Sequence, residues 1–280
     1  MARISAPRVK SETFAIHTLT GMLLYKYLAP ERLDVLSGRM IRFTQPLVFN
    51  DPFEANPHLF DDYTEAEWQR IGEKEAKSMG LDSALVDKIL SPATFAARRP
   101  RAFQILLDLL RTNVGVLSLS EEPASLLMWA HYAMTHTGYL IGFDSSHPFF
   151  GSENKRQSRV NELCIVQYSQ TRPSRSLRNL SLIDTYFTKS REWSYEREWR
   201  IFKDLQLADQ QIEANIPVCL FRFPEEAVVS VIVGCRASED TRKAIHRTLA
   251  DKSYSHVRHL RADLDSRRFR LNLSPVGKFP

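Results

Sequence analysis

Two glutamates stand two residues apart between two tryptophans in the stretch SREWSYEREWRIFKD, Ser190 to Asp204. Read as a β-strand, alternation puts Tyr195, Arg197 and Trp199 on one face and Glu196, Glu198 and Arg200 on the other. Two carboxylates and a guanidinium on one face are costly to bury unless they are paired and used. The set therefore reads either as charge pairs on an exposed edge strand or as a site built on a sheet. A helix would scatter the same residues around its surface. The following Ile201 and Phe202 favour a strand, entered at about Trp193.

Two further stretches carry polar groups with more than one use. In FNDPFE, Phe49 to Glu54, Asp51 suits a helix N-cap, Pro52 the first helical position, and Glu54 the third residue of a capping box. The other reading makes Asn50 and Asp51 pocket residues on a loop after a strand. In LMWAHYAMTHTGYLIGFD, helical spacing puts Met128 with Tyr132 and Leu127 with His131 on shared faces. His131 and His136 are five apart, which is not the i, i+4 pair of a helical zinc site. His131 reads as a packed core histidine, or as a pocket donor to a ligand phosphate or ribose. Cys164, Cys219 and Cys235 are scattered, without metal or disulfide spacing. No bound metal is expected, and reduced thiols point to a cytoplasmic protein.

The elements that must position these residues alternate between strands and helices. GMLLYKYL, RMIRFTQP, VGVLSLS, GYLIGFD, LCIVQYS, NIPVCLFRF and VVSVIVGC read as strands, as do segments around HVRHLRA and RFRLNLS. In RMIRFTQP, Met40, Arg42 and Thr44 take one face and Ile41 and Phe43 the other. APERLDVLSG, SLLMWAHYAM, LRNLSLIDTYFTKS and SEDTRKAIHRTLA read as helices, with Gly38 stopping the first and Ser238 capping the last. Residues 62–112 read as a helical insertion. The result is an α+β fold: residues 1–20 a flexible arm, residues 21–280 one domain.

The whole chain fits that reading. It has 280 residues, 43% hydrophobic and 25% charged, an ordinary globular mix with material for a large core. No apolar run approaches the roughly 18–20 residues of a membrane span, and the N-terminus has no signal-peptide pattern. The net charge of +5 permits an anionic partner without demanding one. Basic residues gather in RRPR, Arg98 to Arg101, and in RHLRADLDSRRFR near the C-terminus. Each reads first as a solvated face, and otherwise as a nucleic-acid surface.

The stretches YKYL, IRFTQPLVFNDPFE, LMWAHYAMTHTGYLIGFD, VQYS, KSREWSYEREWRIF and VIVGC together resemble a bacterial and phage family, number twenty-nine seventy-one of the domain-of-unknown-function series. More distantly, the order of motifs resembles that of ADP-ribosyltransferases with an arginine, serine, glutamate signature. That likeness implies a mixed or antiparallel sheet and NAD as substrate. It gives Lys26 or Arg42 to the NAD phosphates, Ser118 and Ser120 to bracing the site, Glu198 to the nicotinamide ribose and Glu196 to the acceptor. Lys26 departs from the arginine or histidine expected on the first strand. On this reading Tyr25, Tyr27, Trp129 or Trp193 would stack on the nicotinamide or adenine. Asn50, Asp51, His131, Tyr132, Tyr195 and Arg200 complete the candidate nucleotide-binding set. The acceptor would be a protein side chain, a nucleic-acid base or water, and the role that of an effector or phage-defence enzyme. Two other readings stand beside it. One is a nucleic-acid-processing protein in which Glu196, Glu198 and a histidine hold a divalent metal. The other is a non-enzymatic interaction module.

Overall fold

The computed structural model of the chain describes residues 21–78, 108, 111–151, 162–176, 178 and 185–276. The expected arm at residues 1–20, the RRPR cluster and most of the expected insertion beyond residue 78 lie outside the described residues. In chain order the strands are β1 (Leu23–Leu28), β2 (Met40–Phe43), β3 (His58–Phe60), β4 (Val114–Ser120), β5 (Tyr139–Asp144), β6 (Cys164–Ile165), β7 (Gln167–Ser169), β8 (Ser174–Ser176), β9 (Thr188–Ser190), β10 (Glu198–Asp204), β11 (Gln210–Ile212), β12 (Val218–Arg222), β13 (Val228–Val233), β14 (Arg258–Leu264) and β15 (Leu271–Pro275). The described α-helices are α1 (Leu33–Gly38), α2 (Glu65–Ser78), α3 (Leu126–Tyr132) and α4 (Glu239–Leu249).

Eight strands form one mixed sheet in the order β15-β14-β13-β5-β1-β4-β10-β6. All its pairs are antiparallel except β13 with β14, which α4 connects. A smaller sheet runs β11-β12-β2. The fold is α+β. The central strand β5 is buried over Tyr139 to Phe143, and its apolar run covers both faces. On one face Val35 and Leu36 of α1 and Ile245 of α4 join Leu24, Phe143 and Val231. On the other, Met128 and Trp129 of α3 pack with Tyr27, Leu140 and Ile232. Helix caps follow the sequence: the Ser238 hydroxyl accepts from the Thr241 amide, and the Ser125 hydroxyl from Met128.

One feature of the sheet matters for the site. Strands β1 and β5 pair in register along all of β1, whereas β1 and β4 meet at Tyr25 opposite Ser120. Lower down, β4 turns instead to Thr44, which exchanges two 2.9 Å backbone bonds with Val116. The sheet therefore splits between β1 and β4. The Lys26 ammonium enters the split and donates to the Ser118 carbonyl at 3.1 Å.

Several expected elements differ. Tyr195–Arg200 is not one strand: Arg191–Glu196 is a 3-10 helix, Arg197 is left-handed at φ 44°, and β10 begins at Glu198. The turn still leaves Glu196, Glu198 and Arg200 all buried, while Arg197 points out to Glu121. FNDPFE forms no helix. Asp51 accepts from the Phe53 amide at 2.9 Å in an Asx turn, and Glu54 is used elsewhere. LCIVQYS is two short strands on either side of Val166, and Thr188–Ser190 of the expected helix is β9. At α1, Arg39 rather than a glycine takes the left-handed C-terminal position, φ 56°.

Candidate functional site

Beside the split lies a cleft of about 430 Å³, lined from β1, β4, α3, β9, the Thr44–Glu54 loop and the start of β10. This is the size range of small-molecule sites. Its floor is a chain of buried charges. The Lys189 ammonium lies 2.6 Å from Glu196 Oε2, 3.2 Å from Glu198 Oε2 and 3.5 Å from Glu54 Oε2. The Arg200 guanidinium grips Glu198 through Nε at 2.7 Å and Nη2 at 2.8 Å. It also pairs with Glu54 and donates to the Tyr186 carbonyl at 2.6 Å. Tyr132 donates to Glu196 Oε1 at 2.6 Å, and the Glu198 amide donates to the Tyr168 hydroxyl at 2.9 Å. All five charged residues are buried.

The charge count gives the site its character. Three carboxylates, Glu54, Glu196 and Glu198, share two cations, Lys189 and Arg200. Burial alone would raise the Glu198 carboxyl, but Arg200 and Lys189 overcome it and hold the group well below the usual carboxylate range. Glu196 goes the other way. Burial raises it, Lys189 offsets part of that, and the Glu198 charge raises it further. The two glutamates are thus driven apart, Glu198 toward the anion and Glu196 toward the weaker acid. Burial lowers the Lys26 ammonium to about 8, and the nearby glutamate charges recover only part of the loss.

The residues singled out in the sequence fall into three places. Tyr25, Lys26, Tyr27, Asn50, Ser118, Ser120, His131, Tyr132, Glu196 and Glu198 line the cleft. Ser120 braces it, donating to the Glu196 carbonyl at 2.6 Å and accepting from the Glu122 amide. Asn50 reaches the Tyr132 hydroxyl at 3.4 Å, joining the two lips. Behind the lining, Arg200 lies under the carboxylates, and the Trp193 ring sits 5.1 Å from the Lys189 ammonium. Tyr195 bonds to His131 Nδ1 at 3.1 Å. The rest stand apart. Trp129 is not an aromatic wall: it is fully buried in the core, with its indole donating to the Pro123 carbonyl. Arg42 is on β2 and outside the lining, so of Ile41–Thr44 Thr44 alone reaches the cleft. Asp51 is spent on its own turn.

Lys189 and Glu54 were not among the sequence candidates. Both lay inside quoted motifs, but Glu54 had a local explanation as a cap. Lys189 falls in a stretch whose sequence reads as a helix, where no alternation points it at the glutamates. Among the described residues, no group of three His, Cys, Asp or Glu is arranged to hold a metal ion. The three glutamates that come together are bridged by an ammonium and a guanidinium instead. No helix among the described residues is long and apolar enough to cross a membrane.

No curated protein and no solved structure matches the chain. Residues 128–201 match the model of a family described as a protein of unknown function. That segment holds Tyr132, Lys189, Glu196, Glu198 and Arg200, while Lys26, Glu54 and the two serines precede it. The family model matched there is DUF2971, and the match takes in the segment that carries most of this charge network.

Proposed function

We propose that the cleft binds an NAD-type nucleotide and breaks its nicotinamide–ribose bond, passing ADP-ribose to a macromolecular acceptor or to water as ADP-ribosyltransferases do. The carrying observation is the split between β1 and β4. It brings Lys26, Ser118, Ser120 and Glu198 from three adjacent strands to one cleft, over carboxylates that outnumber their cations.

The chemistry follows from that arrangement. Breaking the bond develops positive charge on the ribose ring as the electron pair leaves with nicotinamide. The floor carries the Glu198 carboxylate, kept as an anion by Arg200 and Lys189, and hydrogen bonds already hold it in position. Such a preorganised charge favours the transition state without reorganising at the moment of reaction. Lys26, in the lining beside Ser118, is the cation for the pyrophosphate. The rings of Tyr25 and Tyr27 offer an aromatic wall for a base. Glu196, with its raised carboxyl bonded to Tyr132, suits removal of a proton from the acceptor. A second hollow of about 220 Å³ lies on the far side of Glu54 and Lys189, lined by Thr188, Ser190 and Phe53, and gives an acceptor room to approach.

Calorimetry with NAD and assays of nicotinamide release test the reading. Wild type is expected to bind NAD and release nicotinamide. Glu198→Gln is expected to lower turnover by about 10²–10³-fold, the effect of removing one electrostatic stabiliser. Glu196→Gln should impair transfer to an acceptor more than hydrolysis. Because Glu198 is a buried partner of Arg200, its variant will also melt at a lower temperature, and assays belong well below that melting point. Absence of NAD binding by the wild type, with no release under any acceptor, would leave an interaction module as the better account.

A further inference from the structure

The hairpin between β14 and β15 ends in a turn built around one side chain. Asp265 accepts from the backbone amides of Arg267 at 2.9 Å and Arg268 at 3.0 Å, from Arg270 Nε at 2.8 Å, and from Asn272 at 3.1 Å. These bonds fix the tip without any help from the core. Phe269 in the turn is fully exposed, at 101% of its reference area, and Leu264 at its base is 73% exposed. Arg270 is tied to Asp265. The side chains of Arg267 and Arg268 are exposed and have no hydrogen-bond or ion-pair partner among the described residues.

A lone exposed apolar residue on a surface calls for no explanation. Here a bare aromatic ring is held on a pre-formed turn, directly after two unpaired arginines in sequence, in a chain of net charge +5. An aromatic face offers stacking to any unpaired base, and the flanking cations match a phosphate backbone. From this geometry we infer that the hairpin tip is a binding surface for single-stranded nucleic acid. Phe269 stacks on one base, and Arg267 and Arg268 neutralise adjacent phosphates. A membrane surface would also attract the arginines. However, the tip offers one ring and one leucine, whereas insertion needs a broad apolar face. The inference is independent of the cleft's chemistry.

Fluorescence anisotropy with the full chain and a labelled twelve-nucleotide oligomer of mixed sequence, titrated across salt, tests it. Wild type should bind the single strand. Phe269→Ala should weaken binding by about tenfold, the loss of one base–aromatic stack. Arg267→Ala with Arg268→Ala should make the slope of log affinity against log salt shallower by about 1.4, since each phosphate contact on a single strand contributes about 0.7. Both sets of substitutions lie on exposed positions outside the core, so melting temperature should not change. No binding by the wild type would overturn the inference. So would unchanged affinity and slope in the variants, or binding to phosphatidylserine vesicles with none to the oligomer.

Discussion

Lys26 shows how single residues are placed at some expense to the fold. Its ammonium is drawn into the split between strands, and burial lowers it to about 8. Its folded value lies below the unfolded value near 10.5, so between about 8 and 10.5 the unfolded chain holds a proton that the folded chain has released. Stability should therefore rise with pH across that window. Lys26→Met removes the disfavoured charge, and thermal or denaturant unfolding at pH 7 should show a gain of about 1–3 kcal/mol. Calorimetry should show the same variant losing affinity for NAD. A variant that is less stable, or that still binds NAD as wild type does, would argue against Lys26 as the phosphate-binding cation. Arg200 is the opposite case, with burial overcome by Glu198 and Glu54, and its charge is more firmly held in the fold than in water.

At the scale of elements, the aromatic wall depends on a glycine in the central strand. Gly142 of β5 pairs with Tyr25 of β1. A Cβ there would sit 2.4 Å from the Ser230 hydroxyl oxygen and 3.0 Å from the Tyr25 ring. The first is closer than packed atoms tolerate and the second is tight, so Gly142→Ala must move the Ser230 hydroxyl and crowd the Tyr25 ring. The expected cost is about 1–3 kcal/mol of stability from overpacking. NAD affinity should also fall, and calorimetry on the soluble variant would show it. Unchanged affinity would remove Tyr25 from the wall. Elements with a clean period of their own were legible in the sequence: β1, β4, β5, β13 and α4 stand where alternation, caps and apolar runs put them. The failures share a cause. Residues 191–196 and 51–54 carry signals for a strand and for a capped helix. Tertiary charge pairing then decided the outcome, through Arg200 drawing in Glu54 and Lys189 drawing in both later glutamates. No local pattern reports a partner 146 residues away.

For the whole molecule, the two shifted groups that line the cleft set a window of activity. Glu196 must be ionised to take a proton from an acceptor, and its carboxyl is raised, so the acid limb of transfer should lie above the ordinary glutamate range. Lys26 must be charged to hold a pyrophosphate, so the alkaline limb should fall near pH 8. The dependence of kcat/KM on pH is thus expected to be bell-shaped. Glu196→Gln should flatten the acid limb of transfer, and Lys26→Arg should move the alkaline limb upward. An alkaline limb unmoved in the arginine variant would assign it to another group. The mixed sheet was legible as α+β from its alternating elements. Its split between β1 and β4 was not, because one pairing fewer between two good strands leaves no trace in either strand's composition.

The floor of the cleft also says when the site comes into being. Glu54 and Arg200 are 146 residues apart, with Lys189 close to Arg200, and none can enter the interior without the others. Loop closure over such a span comes late in folding. A nascent chain that has not yet released β10 keeps its carboxylates in water and has no cleft. The chemistry is therefore coupled to synthesis past β10, and that strand, laid beside β4, acts as the switch that turns it on.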